Sequence, residues 1–205
     1  MDRRRFVAAS GLSLVGLAAG CVPKPPVETD LPSDTPTDTT EPQDSPGPDD
    51  CPPTGEDIEG PYYREGVPVR SDLDLYGETG DPLVLSGVVR DADCVPVANA
   101  VVELWQANPA GDYDTDTDEK RYYGQIATDA QGRYSFKSLV PGRYLNAGQY
   151  RPAHLHMKVW TGDTERLTTQ IYFAGDPYNE VDKWFDAERM VTLDDQGHGT
   201  FDVAI

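Results

Sequence analysis

The sequence predicts an all-β domain: a β-sandwich of about eight strands with long loops, preceded by a signal peptide and a disordered linker. Three observations carry that expectation. β-Branched runs recur at 83–89, 101–105, 122–128, 133–137, 154–160, 167–173, 189–193 and 200–205, separated by turn residues. Helical periodicity is weak everywhere outside 179–187. The stretch from Cys51 onward, roughly 150 residues, is long enough for one self-supporting core.

Charge excludes some partners. The chain holds 36 Asp and Glu against 17 Lys and Arg, a formal charge of −19. Neutralising nucleic-acid phosphates or an anionic membrane surface needs clustered cations that this composition does not supply. No repeat with a period of roughly 20–50 residues is visible, which sets aside solenoids and propellers.

The chain divides into three parts. In residues 1–20, Arg3, Arg4 and Arg5 precede Phe6 and an apolar run from Val7 to Ala19, too short to span a bilayer but long enough for a signal-peptide core. Leu17-Ala18-Ala19-Gly20 before Cys21 resembles a bacterial lipobox, with Leu17 one place earlier than usual, so Cys21 is the expected lipidation site. The alternative is an ordinary cleaved signal with an incidental cysteine. The paired arginines also resemble a twin-arginine signal, which exports folded proteins and suits a cofactor loaded in the cytoplasm. The chain is therefore expected to be exported, periplasmic or anchored at the cell surface, with membrane contact only through Cys21. Residues 21–50 are rich in Pro, Thr and Asp with scarcely any apolar side chain, and read as a disordered tether. Residues 51–205 read as the folded domain. With Cys21 lipidated, Cys51 and Cys94 remain as an even pair, expected to form a disulfide in an oxidising compartment.

Within the domain, Asp129-Ala130-Gln131-Gly132 and Asp194-Asp195-Gln196-Gly197 read as hairpin turns. The informative stretch is Arg151-Pro152-Ala153-His154-Leu155-His156-Met157-Lys158-Val159-Trp160. On a strand, Leu155, Met157 and Val159 share one face while His154 and His156 share the other. Two imidazoles projecting together have a metal-ligand spacing, though surface histidine pairs show the same pattern without metal. His198, between Gly197 and Gly199, belongs to a turn exposed to solvent, which disfavours a three-histidine zinc site. The remaining candidate ligands are carboxylates or phenolates, and the chain has 11 tyrosines. Asp112, Asp114, Asp116 and Asp118 alternate like a calcium loop but lack its glycine and closing acid, so a solvated loop is expected. Trp105 reads as core; Tyr122 and Tyr123 read as pocket-mouth or strand aromatics.

Gly60-Pro61-Tyr62-Tyr63, the run 101–108 leading to Gly111-Asp112-Tyr113, Pro141-Gly142-Arg143-Tyr144, the run 151–156 and Leu167-Thr168-Thr169-Gln170 together resemble the intradiol ring-cleavage dioxygenases. The likeness is to the protocatechuate 3,4-dioxygenase β subunit and its exported single-domain relatives, and covers residues 51–205. The resemblance implies a mononuclear non-haem Fe(III) bound by Tyr113, Tyr144, His154 and His156, with Tyr144 the ligand that leaves when substrate arrives. It implies a catechol-type substrate and O2, and a cis,cis-muconate-type diacid as product. By the same resemblance Arg151 stabilises charge developing on the ring, and Gln170 lies near the substrate. The bland alternatives are that Arg151 braces its loop and Gln170 pairs within its strand.

The connection from Tyr113 to Tyr123 and the insertion 145–150 are shorter than in the protocatechuate enzymes, so a more open site is expected. Its acid-rich walls should disfavour a carboxylated ring unless a cation offsets them; catechol, hydroxyquinol and protocatechuate all stay open. No counterpart of the helical dimerisation region of catechol 1,2-dioxygenases precedes Gly60, and the oligomeric state is left open. The competing reading is a non-catalytic prealbumin-like or carboxypeptidase-regulatory-like β-sandwich binding module, because 128–136 and 139–144 also occur in such domains. A zinc or copper enzyme on the same histidines lacks an obvious third nitrogen or sulfur ligand.

Overall fold

A computed structural model describes residues 51–205; the expected signal peptide, linker and Cys21 lipidation site lie outside the described residues. The strands are β1 (Pro82–Arg90), β2 (Val101–Gln106), β3 (Tyr123–Ala127), β4 (Arg133–Leu139), β5 (Tyr144–Asn146), β6 (Gln149–Arg151), β7 (His154–Thr161), β8 (Thr164–Phe173), β9 (Met190–Val191), β10 (His198–Thr200) and β11 (Val203–Ala204).

Two sheets form the sandwich. In the first, β1 pairs antiparallel with β4 on one edge, while β10 and then β11 run parallel to it on the other. The second has the order β3-β2-β7-β8-β9, antiparallel except for the β8–β9 pair. Period-two alternation decides what faces inward. Leu83 and Leu85 from β1, Val102 and Leu104 from β2, Phe136 from β4 and Leu155, Met157 and Val159 from β7 are fully buried in one shared core. Burying a side chain of this kind contributes about 1.5–3 kcal/mol, so this row carries much of the domain's stability.

Several expectations need correction. The stretch 189–193 yields only the two-residue β9, preceded by a 3₁₀ turn at Ala187–Arg189. The stretch 200–205 is broken between β10 and β11, where Asp202 Oδ1 accepts from the Val88 amide. No helix forms at 179–187; a single 3₁₀ turn, Asn179–Val181, stands at its start. Asp182 ends that turn in extended geometry, and its carboxylate is engaged elsewhere. The turns at 129–132 and 194–197 form with positive φ at Gly132 and Gly197, but neither closes a hairpin. Each carries the chain from one sheet to the other, β3 to β4 and β9 to β10. Two-residue turns close the β5–β6 and β7–β8 hairpins; β5–β6 has no expected counterpart, because three-residue strands leave almost no periodicity to read.

Cys51 and Cys94 form the expected disulfide across 43 residues of sequence. From it an extended arm crosses the sandwich edge. The Thr54 amide donates to the Ala204 carbonyl at 3.0 Å, and the Asp57 amide donates to the Thr168 carbonyl at 2.9 Å. The arm thereby reaches the outer face of the second sheet.

The double variant Cys51→Ser/Cys94→Ser should lose about 4 kcal/mol of stability on the chain-entropy view. Urea unfolding of wild type and variant under non-reducing conditions measures the difference.

Candidate metal centre

The outer face of the second sheet carries the site. Strand register aligns Trp105 on β2, His156 on β7 and Gln170 on β8 in one row, and His154 with Tyr172 in the next. Both histidines are buried although they point away from the core, because the arm and the loop after β2 cover this face. Trp105 stacks on the His156 ring, with centroids 4.9 Å apart and planes 9° from parallel. It therefore belongs to a small second cluster with Val67 and Tyr123, and not to the main core. Tyr122 does enter the main core.

Tyr113 arrives on the loop after β2 and Tyr144 at the first position of β5, and the segments leading to them are fastened to each other. Asn108 Oδ1 accepts from the amides of Ala110 and Asp112, and its carbonyl accepts from Gly142. Gly111 has φ +93°, and a Cβ there would stand 2.3 Å from the Arg143 carbonyl oxygen, so only glycine permits the approach. Tyr113 and Tyr144, next to this junction, pack edge to face at 5.6 Å. Tyr62, from the arm, stacks on Tyr113 at 4.1 Å.

Tyr113 Oη lies 3.4 Å from His154 Nε2 and 3.0 Å from His156 Nε2. His154 Nδ1 lies 2.7 Å from the Pro152 carbonyl oxygen, which can only accept, so the proton sits on Nδ1 and Nε2 presents a lone pair. His156 Nδ1 is buried without a partner among the described residues. Burial, then the Arg151 charge, lowers His154 to about 4. Burial, then His154, holds His156 well below the usual imidazole range. Both rings are neutral near pH 7. Burial, then Tyr144, pushes the Tyr113 phenol well above its ordinary value, so in this metal-free arrangement it keeps its proton. His154 Nε2 presents a lone pair, and His156 Nε2 offers a second whenever its ring proton is on the unpartnered Nδ1, which is more than one phenol hydrogen can satisfy. A cation at this point would satisfy both and remove the phenol proton, so the oxygen and nitrogen donors fit a hard trivalent ion.

Tyr144 reaches the group through Arg151, which it faces across the β5–β6 pair. Arg151 Nη1 lies 3.4 Å from Tyr144 Oη and 3.5 Å from His154 Nε2. Its Nη2 donates to Gln170 Oε1 at 2.8 Å and to Tyr172 Oη at 3.2 Å, while Gln170 Nε2 donates to the Ile58 carbonyl of the arm. Burial works against the Arg151 charge, but hydrogen bonds to Asp182 and Tyr144 leave its pKa raised. Thus Tyr113, Tyr144, Arg151, His154, His156 and Gln170 gather in one place. His198 stands apart, half exposed and paired with Asp194.

Sequence reasoning missed Tyr62, Asp57, Tyr172, Asp182, Trp184 and Arg189. Asp57 accepts from Tyr172 and forms a buried ion pair with Arg189. Period two on β2 and β8 would have placed Trp105 and Tyr172 on the histidine face; no local signal marks Asp182. Asp114 is tied into its own loop by Thr117, Arg121 and Arg64, as befits a structural turn. A cavity of about 210 Å³ beside Tyr113 is lined by Glu78, Asp112, Asp114, Asp116 and Arg121, an acid-rich wall as expected. A cleft of about 250 Å³ has Arg151, Trp184 and Lys183 in its lining. A further cavity of about 770 Å³ lies against residues 80–82, 141–143 and 192–197 and is lined by none of Tyr113, Tyr144, His154 and His156.

Comparison with known proteins points the same way. The family profile described as Dioxygenase matches residues 58–196. Catechol 1,2-dioxygenase 2 of Acinetobacter lwoffii is 40% identical over 141 residues, covering 59% of this chain and 51% of its own. The protocatechuate 3,4-dioxygenase beta chain of Burkholderia cepacia is 34% identical, covering 68% of this chain and 60% of its own. The chain thus spans little more than half the length of these curated relatives. Among solved structures, the dioxygenase domain of a dioxygenase and carbohydrate-binding fusion from Streptomyces superposes with a TM-score of 0.68 at 34% identity, covering 75% of this chain and 98% of that domain.

In the unfolded chain both histidines return to about 6.5, so between that value and about 4 the unfolded state takes up protons that folded His154 refuses. Stability of the metal-free protein should be full above about pH 6.5. It should fall with acidification by at most ~1.4 kcal/mol per pH unit for each histidine. Urea midpoints at pH 7, 6 and 5 test this, and His154→Asn should remove that residue's share of the slope.

Proposed function

The chain belongs to the intradiol dioxygenase family, a family that uses iron, and on that premise we propose that it cleaves a catechol-type ring between its two hydroxylated carbons with O2. The product is a cis,cis-muconate-type diacid that retains both oxygen atoms. The observation that carries the reading is the approach of the Tyr113 phenol to both imidazole Nε2 atoms, at 3.4 and 3.0 Å. A binding module has no use for that convergence.

Tyr113, Tyr144, His154 and His156 would hold a mononuclear Fe(III), two phenolates offsetting its charge and two neutral imidazoles completing the set. When bound, the ferric ion supplies a Lewis acid and template that orients the substrate and draws charge from its ring. By the family resemblance Tyr144 is the ligand that would leave when substrate arrives; it stands at the start of the short β5–β6 hairpin, while Tyr113 is stacked on Tyr62. As a phenolate, Tyr144 Oη would take a proton from one substrate hydroxyl, so that binding and activation would become one event. Arg151 keeps its charge and points Nη1 at the space between Tyr144 and His154, where it stabilises negative charge on the ring carbon. Gln170 fixes Nη2 and thus the direction of that charge. The arm and Trp105 exclude water from the histidine side.

Export to the periplasm or cell surface, with a lipid at Cys21, is part of the same proposal. The Cys51–Cys94 bond supports it, because such bonds persist in oxidising compartments.

Purified protein should be burgundy from tyrosinate-to-iron charge transfer, and its spectrum should change when catechol is added under nitrogen. Colourless protein that cannot be reconstituted with iron would sink the reading. Tyr113→Phe or His154→Ala should abolish iron retention. Arg151→Ala should keep iron and lose roughly 10²–10³ in kcat, measured by product absorbance.

A further inference from the structure

We propose that Asp182 is the positioning residue for Arg151, acting on ring cleavage only through the guanidinium it orients; the proposal rests on the dioxygenase reading above. Arg151 Nε donates to Asp182 Oδ2 at 2.5 Å, and the two side chains are 5% and 1% exposed. Asp182 is the one carboxylate within ion-pair distance of Arg151 among the described residues.

The guanidinium is planar, so fixing two of its nitrogens fixes the third. Asp182 holds Nε, while the neutral oxygens of Gln170 and Tyr172 hold Nη2. Trp184 covers the face at 4.4 Å. Nη1 is left with one direction, toward Tyr144 Oη and His154 Nε2. The carboxylate is itself built in. Its Oδ1 accepts from the Trp184 amide at 2.9 Å, and the Asp182 amide donates to the Asn179 carbonyl at 3.1 Å. Both carboxylate oxygens therefore act as acceptors. An asparagine has one acceptor, so Asp182→Asn sets an NH2 against either Arg151 Nε or the Trp184 amide, at nearly unchanged volume.

The experiment compares Asp182→Asn, Arg151→Ala and the double variant with wild type. Asp182→Asn should retain iron and the catechol-induced colour change under nitrogen, and lose tenfold or more in kcat with a smaller change in KM. The double variant should be no slower than Arg151→Ala alone. In metal-free protein labelled with 15N-arginine, the Nε–H resonance identified by its loss in Arg151→Ala should shift and exchange faster in Asp182→Asn. Wild-type kcat with an unmoved resonance would overturn the proposal. So would additive losses in the double variant, which would mean that Asp182 acts on the fold and not through Arg151. Should Asp182→Asn not fold, Asp182→Glu keeps the charge and both acceptors but displaces them, and gives the same comparison. Wild-type protein that binds no iron and cleaves no catechol overturns the dioxygenase reading instead; the metal-free resonance still reports whether Asp182 fixes the guanidinium.

Discussion

Strand β7 is hydrogen-bonded along both edges and covered on both faces, and this double burial fixes where the two imidazoles stand. Leu155, Met157 and Val159 cannot leave the core without exposing the centre of the sandwich. A slip of one residue would put them outside and the histidines inside, so the hydrophobic register and the placement of the imidazoles are the same constraint. The neighbouring strands inherit it. Because β2 and β8 pair with β7 in fixed register, Trp105 and Gln170 flank His156, and Tyr172 flanks His154.

On this rigid face the fold accepts an expensive set of charges. Arg151 and Arg189 are both buried, and each is paired with a buried carboxylate, Asp182 and Asp57. Tyr172 joins the two pairs, accepting from Arg151 and donating to Asp57. Pairs of this kind rarely add net stability over a well-packed apolar core, but removing one member leaves an uncompensated charge and costs about 3–5 kcal/mol. They are explained better by the direction they give to Arg151 than by any gain in folding energy.

The parts legible in the sequence were those governed by local period or local chemistry. Alternation at 154–160 separates the two histidines from the core, and the glycine-containing turns bend where Gly132 and Gly197 stand. The hairpin reading of those turns failed because a turn's residues specify its bend and not the sheet its strands will join. Trp105 is buried as expected, but in a second core cluster on the opposite face of β2 from Leu104. Asp182 and Asp57 act across separations of 31 and 132 residues from irregular segments, where no period exists to mark them.

The arm that begins at Cys51 ends among the site aromatics, with Ile58 bound to Gln170 and Tyr62 stacked on Tyr113. Its first residue is bonded covalently to Cys94, in the connection between β1 and β2. Tension arriving along the backbone from the amino-terminal side therefore meets a sulfur bridge before it meets a single hydrogen bond of the arm. The load passes into the sandwich at that bridge, and the aromatic stack is mechanically insulated from whatever tugs on the preceding residues.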